Sequence, residues 1–271
     1  MASPDFVIPA ERLPPGFAEQ IEQPVRHAVE PKPAATIVLL RDADAGMEVL
    51  LLKRHRSSGF VPGAYVYPGG RTDDADADPA LMQHALNFRE TSVPAHFWFA
   101  AVREAFEETG VLLGRAASGE WVADTHASEA MQRLRLQLLE DGATLLDVLR
   151  ACDCAIEFAD VVYFAHWITP LAEPRRYNTR FFVAGVPPDR TVQPDAREMV
   201  DALWLTPRVA LERFSEGRLP MVFPTVKTLE QLAAFTNTAD ALRQLTDRPV
   251  EPVMPRLVRT ATGVGIVIDP K

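Results

Sequence analysis

Glu104, Glu107 and Glu108 stand at i, i+3 and i+4 in the stretch Ala100-Ala-Val-Arg-Glu-Ala-Phe-Glu-Glu-Thr-Gly-Val-Leu-Leu113. On a helix that spacing puts the three carboxylates on roughly one face. Held so close they repel one another, and a cation placed among them relieves the repulsion. Hard divalent ions such as Mg²⁺ or Mn²⁺ take oxygen ligands of this kind. Arg103 lies four residues before Glu107 and can pair with it. The chemistry to look for is therefore that of a divalent metal. The same spacing also fits a plainer reading, a solvated acidic face on an amphipathic helix.

The element that must carry these residues reads as a helix from about residue 94 or 95 to Thr109. Ala, Arg, Glu and Phe favour it, and no Pro or Gly intervenes before Gly110, which is placed as a C-terminal stop. At 100° per residue Phe99, Val102, Ala105, Phe106 and Thr109 share one face. The glutamates lie roughly opposite.

Arg103-Glu-Ala-Phe-Glu-Glu-Thr-Gly-Val111 resembles the second half of the Nudix box, R-E-U-x-E-E-x-G-U, where U is a bulky or aliphatic residue. Upstream, Tyr67-Pro-Gly-Gly70 resembles the Pro-Gly-Gly turn that opens the box. The full box is G-x5-E-x7-R-E-U-x-E-E-x-G-U. From Gly70 to Arg103 is 33 positions against 14 in the box, an excess of 19. Six residues after Gly70 stands Asp76, and eight before Arg103 stands Ala95; neither is the outer Glu of the box. Asp76 and Glu90 are its candidate stand-ins. The aspartates Asp73, Asp74, Asp76 and Asp78 lack calcium-loop spacing and read as a solvated polar loop.

The resemblance implies a hydrolase that cleaves a diphosphate linked to another group. Glu104, Glu107 and Glu108 would be ligands of Mg²⁺ or Mn²⁺, and Arg103 would hold a glutamate in place. Gly69 and Gly70 would bring backbone groups to the helix and metals. The base often comes from outside the box; Glu198 is the first candidate, with Asp195 and Asp201 behind it. For the substrate, Arg54 and Arg56 are placed to meet phosphate oxygens, and Tyr67 or Tyr65 to stack on a base. Arg176 and Arg180 are alternative cations. Each of these also fits a solvated arginine or a core aromatic. His166, in an apolar run, reads as a core histidine.

Composition sets bounds on all of this. At 271 residues, 47% hydrophobic and 24% charged, the chain has the make-up of a globular protein. A net charge of −9 argues against a nucleic-acid partner. No apolar run is long enough to span a membrane, and the first thirty residues lack a signal-peptide core. Cys152 and Cys154, one residue apart, are a poor disulfide framework and read as reduced thiols. A cytoplasmic protein is the expectation.

Around the glutamate helix the coarse order is strand, strand, helix, strands, helix. Strands are expected at 34–40, 48–54, 161–169, 175–184 and 199–205. Helices are expected at 128–139 and 145–151, after Thr206 and Pro207, at 224–235 and at 239–245, with two short strands near the C-terminus. Residues 1–33, rich in proline, read as an extended arm. Residues 34–217 read as the Nudix domain, with an insertion at about 71–94 and a helical addition at about 115–155. Residues 218–271 read as helices and a tail on the same domain. The pattern alone says α/β; the resemblance implies an α/β/α sandwich with a mixed central sheet and added helices.

Within the Nudix superfamily the chain is similar to the peroxisomal coenzyme A diphosphatase type. The similarity rests on Leu50-Leu-Leu-Lys-Arg54, the Phe60–Gly70 run, the inserted box, Trp167-Ile-Thr-Pro170, Arg176-Tyr-Asn-Thr-Arg-Phe-Phe182 and Trp204-Leu-Thr-Pro207. It implies coenzyme A or an acyl-coenzyme A as substrate, and a homodimer is possible. Two other readings stay open: a hydrolase of ADP-ribose or NADH, and a Nudix domain that senses a nucleotide without turnover.

Overall fold

In the computed structural model the proline-rich start of the chain holds strand β1 (Phe6–Pro9) and one turn of helix, α1 (Phe17–Gln20). The structure describes all residues except 1–5, 24–27, 58–61, 123–127, 141 and 269–271. Strands β2 (Lys32–Ala43) and β3 (Gly46–Arg54) form an antiparallel hairpin, Leu40 opposite Val49. Ile37, Leu39, Leu50 and Leu52 lie on one face; Val38, Leu40, Val49 and Leu51 lie on the other, and all are fully buried. A hairpin apolar on both faces needs a layer on each.

Two short strands dock on that hairpin. β4 (Tyr65–Val66) pairs with β3; β5 (Gly69–Arg71) pairs with β2, Gly70 opposite Ala35. The insertion folds as two 3-10 turns, Asp74–Ala77 and Pro79–His84, and strand β6 (Ala85–Leu86). Helix α2 (Ala95–Thr109) supplies one covering layer. Its Phe99, Val102 and Phe106 share a core with Ile37, Leu39, Leu50, Leu52 and Phe182.

Next come β7 (Gly114–Ala116), α3 (Glu129–Leu139), α4 (Leu145–Ala151) and β8 (Cys154–Glu157). The short strands make a small sheet ordered β6-β8-β7. Ser128 and Thr144 cap α3 and α4 through their hydroxyls. Strands β9 (Val161–Ile168), β10 (Tyr177–Gly185) and β11 (Met199–Leu205) complete the main sheet, ordered β11-β3-β2-β10-β9. Helices α5 (Pro207–Ser215), α6 (Phe223–Leu232) and α7 (Thr238–Thr246) follow. α5 packs on β3, and Leu229, Leu232 and Leu245 are fully buried. The result is the α/β/α sandwich with a mixed sheet. Among the described residues no helix is long and apolar enough to cross a membrane.

The chain divides into two compact units. The larger, Ala34–Phe164 with Arg180–Pro249, contains the glutamate helix, the small sheet and α3 to α7. The smaller is Met1–Pro33, Ala165–Thr179 and Val250–Lys271. In it β1 and β13 (Arg256–Thr260) pair on either side of β14 (Gly263–Val267), all antiparallel, and β12 (Pro252–Val253) pairs in parallel with the end of β9. Its Arg176 is buried, with the guanidinium on the carbonyls of Val29 and Thr169. That side chain holds backbone, which corrects its candidacy as a substrate cation. His166 lies against Asn178, a satisfied histidine as its apolar setting suggested.

Candidate active site

α2 is buried almost all round, and this decides between the two readings of its acidic face. Phe99, Val102, Ala105 and Phe106 are at most 1% exposed, as their periodicity requires. Arg103, Glu104 and Glu108 are also buried, at 5%, 7% and 6%. Glu104 and Glu108 do not face water, and Glu107 is half-buried. Buried carboxylates are costly unless paired, so the partners carry the argument.

Arg103 is the first partner. Its Nη1 donates to Glu104 Oε1 at 2.9 Å and to Glu107 Oε1 at 3.1 Å. Its Nε and Nη2 donate to the two oxygens of Asp76 at 2.9 and 3.0 Å, and Nη2 also reaches the Arg71 carbonyl at 2.8 Å. Asp76 is 1% exposed, so the solvated-loop reading of the Asp73–Asp78 run is wrong at this position. The 3-10 turn aims Asp76 inward, and its carboxylate also accepts the Asp73 N–H at 2.8 Å. Among the two stand-ins for the outer glutamate, the structure brings Asp76 to Arg103.

The Pro-Gly-Gly turn is the second partner. The Gly69 N–H donates to Glu108 Oε2 at 3.0 Å. A side chain at Gly70 would land on the Glu104 carboxylate, and one at Gly69 would meet the Ala35 carbonyl at 2.6 Å. Both positions need glycine because backbone approaches carboxylate and strand this closely.

These surroundings move the proton affinities. Burial pushes the Glu104 carboxyl up to about 8, against the pull of Arg103 and with a further push from Glu107. Burial and then the Glu104 charge raise Glu108 well above the carboxylate range, opposed by the Gly69 N–H. Burial also raises Glu107. Burial would lower the Arg103 guanidinium, but Asp76 and the glutamates more than offset this and raise it. Asp76, Glu104 and Glu107 thus share one guanidinium, while Glu108 relies on the Gly69 N–H.

A second segment closes on the same helix. The Gln193 N–H donates to the Thr109 carbonyl at 2.8 Å. Two residues on, Asp195 Oδ1 accepts the N–H groups of Arg197, Glu198 and Met199 and bends the chain into β11. Glu198 is 65% exposed in its side chain and lies 3.4 Å from Arg54 Nη2. Arg135 of α3, 6% exposed, donates to the Glu107 carbonyl from Nε at 2.9 Å and Nη2 at 2.7 Å, and to the Gln193 carbonyl at 2.7 Å.

A family model described as the NUDT19 Nudix domain matches residues 79–232. The chain belongs to this Nudix family. Among curated relatives it is 28% identical over 263 residues to the acyl-coenzyme A diphosphatase NUDT19 of Homo sapiens, covering 81% of this chain and 70% of that protein. The Gallus gallus protein of the same name is 27% identical over 249 residues, covering 75% and 66%. A putative nudix hydrolase 7 of Caenorhabditis elegans is 28% identical over 200 residues, covering 74% and 60%. The chain thus spans 60% to 70% of the length of these relatives. A solved NUDIX hydrolase from Alicyclobacillus acidocaldarius superposes with a TM-score of 0.69 at 28% identity, over 82% of this chain and 99% of that one.

Nudix hydrolases work with divalent metal ions. The donors on this Nudix helix fit one: all are carboxylate oxygens, Glu104 and Glu108 buried and Glu107 half-buried, with more negative charge than Arg103 neutralises. Among the described residues no three His, Cys, Asp or Glu side chains already meet as a finished ligand cluster. Arg103 Nη1 stands between Glu104 and Glu107.

The other candidates distribute unevenly. Arg54, at the end of β3, reaches the Glu198 loop, and Arg56 is exposed just beyond it. Tyr67 is 4% exposed and its hydroxyl donates to the Thr225 carbonyl at 3.3 Å, so its ring is part of the core and not open for stacking. Tyr65 donates to Asp201 Oδ2 at 3.2 Å, which engages both side chains. Arg180 stacks over Phe97 at 4.4 Å. Phe60 and Val61, at the start of the run shared with the subgroup, lie outside the described residues. Arg135 was not a sequence candidate, although it stands four residues after Met131 and three before Leu138, on the apolar face of its helix, where a charge needs a partner.

Proposed function

We propose that this chain is a metal-dependent diphosphatase that cleaves coenzyme A or an acyl-coenzyme A. One observation carries the reading: a buried R-E-x-x-E-E helix locked against a Gly-Gly turn, in a Nudix domain whose curated relatives include acyl-coenzyme A diphosphatases. Glu104, Glu107 and Glu108 would hold Mg²⁺ or Mn²⁺, which when bound neutralises phosphoryl charge and lowers the pKa of water.

The chain's own groups do the rest. Arg103 fixes the glutamates from Asp76. Gly69 and Gly70 let the backbone reach Glu108 and Glu104 without a side chain between. Glu198, exposed at the edge of β11, takes the proton of the attacking water. Arg54 and Arg56 meet anionic oxygens of the substrate. Water adds to one phosphorus of the diphosphate and the bridging P–O bond breaks. The products are adenosine 3′,5′-bisphosphate and a phosphopantetheine, acylated when the substrate is.

The test is a panel of coenzyme A, an acyl-coenzyme A, ADP-ribose, NADH and dinucleoside polyphosphates, with Mn²⁺ and products resolved by mass. Coenzyme A or its acyl form is expected to have the highest kcat/KM. Preference for ADP-ribose or NADH with coenzyme A untouched would remove the substrate and leave the hydrolase. Tight nucleotide binding with no product from any member would favour the sensing domain.

A further inference from the structure

The buried guanidinium of Arg135 does something a stray surface arginine would not. The last carbonyls of a helix lack intrahelical partners. At the end of the Nudix helix the Phe106 carbonyl is met by the Gly110 N–H, the Thr109 carbonyl by the Gln193 N–H, and the Glu107 carbonyl by Arg135 through two nitrogens. A cation there also suits the negative end of the helix. The second bond is the informative one. Arg135 Nη2 also holds the Gln193 carbonyl at 2.7 Å, so the Gln193 residue is pinned through its N–H to the helix and through its C=O to Arg135. The segment so pinned runs straight into Asp195 and Glu198.

We propose that Arg135 is a positioning residue for hydrolysis: it clamps the Glu198 loop to the end of the helix that carries Glu107 and Glu108. This rests on the function proposed above. The clamp comes from α3, within the helical addition between the Nudix helix and β8, so that addition is part of the catalytic apparatus. Arginine suits the task because one planar fork spans two backbone carbonyls from different elements. Lysine has a single nitrogen and reaches one of them well.

The experiment compares Arg135→Ala, Arg135→Lys and Met131→Ala in the full chain, with coenzyme A and Mn²⁺. Met131 lies one turn before Arg135 on the same helix and contacts Cys152 at 3.0 Å between sulfurs. It reports loss of α3 packing alone. Melting temperature, kcat and KM are measured for each. Arg135→Ala is expected to lower kcat by about 100-fold, the scale of a roughly 1 Å misplacement. KM should stay within about threefold, since ground-state binding is untouched. Arg135→Lys recovers part of the loss. Met131→Ala lowers the melting temperature with kcat near wild type. Wild-type kcat in a folded Arg135 variant overturns the proposal, as does activity that tracks melting temperature across all three. A wild type inert on every diphosphate removes the proposed function and the clamp with it. That outcome is distinct from failure of the clamp alone, in which the wild type turns over and the Arg135 variants match it.

Discussion

Arg103 and Asp76 show what a single residue can and cannot reveal. Arg103 was legible, because its spacing to Glu107 and its place in R-E-x-x-E-E mark it. Asp76 was legible only as a position six after Gly70. Its neighbours Asp73, Asp74 and Asp78 make the run look solvated, and its partner lies 27 residues away. Tyr67 was ambiguous for the same reason: the carbonyl that receives its hydroxyl is 158 residues on. Asp76 gives a stability prediction. Asp76→Ala leaves Arg103 buried with two bonds to Asp76 unmade. Arg103 keeps Glu104 and Glu107 as partners, so the cost is that of lost hydrogen bonds to a charged group, about 1.5–3 kcal/mol. Urea denaturation should therefore show a loss of that order. A change of less than about 0.5 kcal/mol, the range of a neutral surface substitution, would refute the pairing.

Elements with strong local signals were read correctly, and those that depend on distant partners were not. α2 has helix formers throughout and a glycine stop. Thr206 with Pro207 marks the start of α5, and the Thr206 hydroxyl accepts the Val209 N–H as a cap should. β8 was missed because Cys-Ala-Ile-Glu contains one strong strand former; β6 and β7 on either side make it a strand. β1 was read as part of an irregular arm, since its partner β14 comes from the other end of the chain. The stop of α2 is testable by itself. Gly110 has φ 75°, the left-handed region. Gly110→Ala should cost about 1–2 kcal/mol, seen as a lower melting temperature. No drop would mean that the helix ends in another conformation.

At the scale of the whole molecule, an acidic chain of net charge −9 is read as handling an anionic substrate. That requires the sign to reverse locally, through a divalent ion on the Nudix helix and arginines at the end of β3. The α/β class was legible from the order of elements, and the superfamily from two short stretches. The division into two units was not, because the smaller one joins three separate parts of the chain. The metal on the glutamates is the central claim. The most direct measurement is the rate of coenzyme A cleavage by wild type with Mn²⁺, by wild type in excess EDTA, and by Glu107→Gln and Glu108→Gln with Mn²⁺. Activity should vanish with the chelator and fall by orders of magnitude in both variants while their folds persist; a wild-type rate that survives excess EDTA would contradict the account.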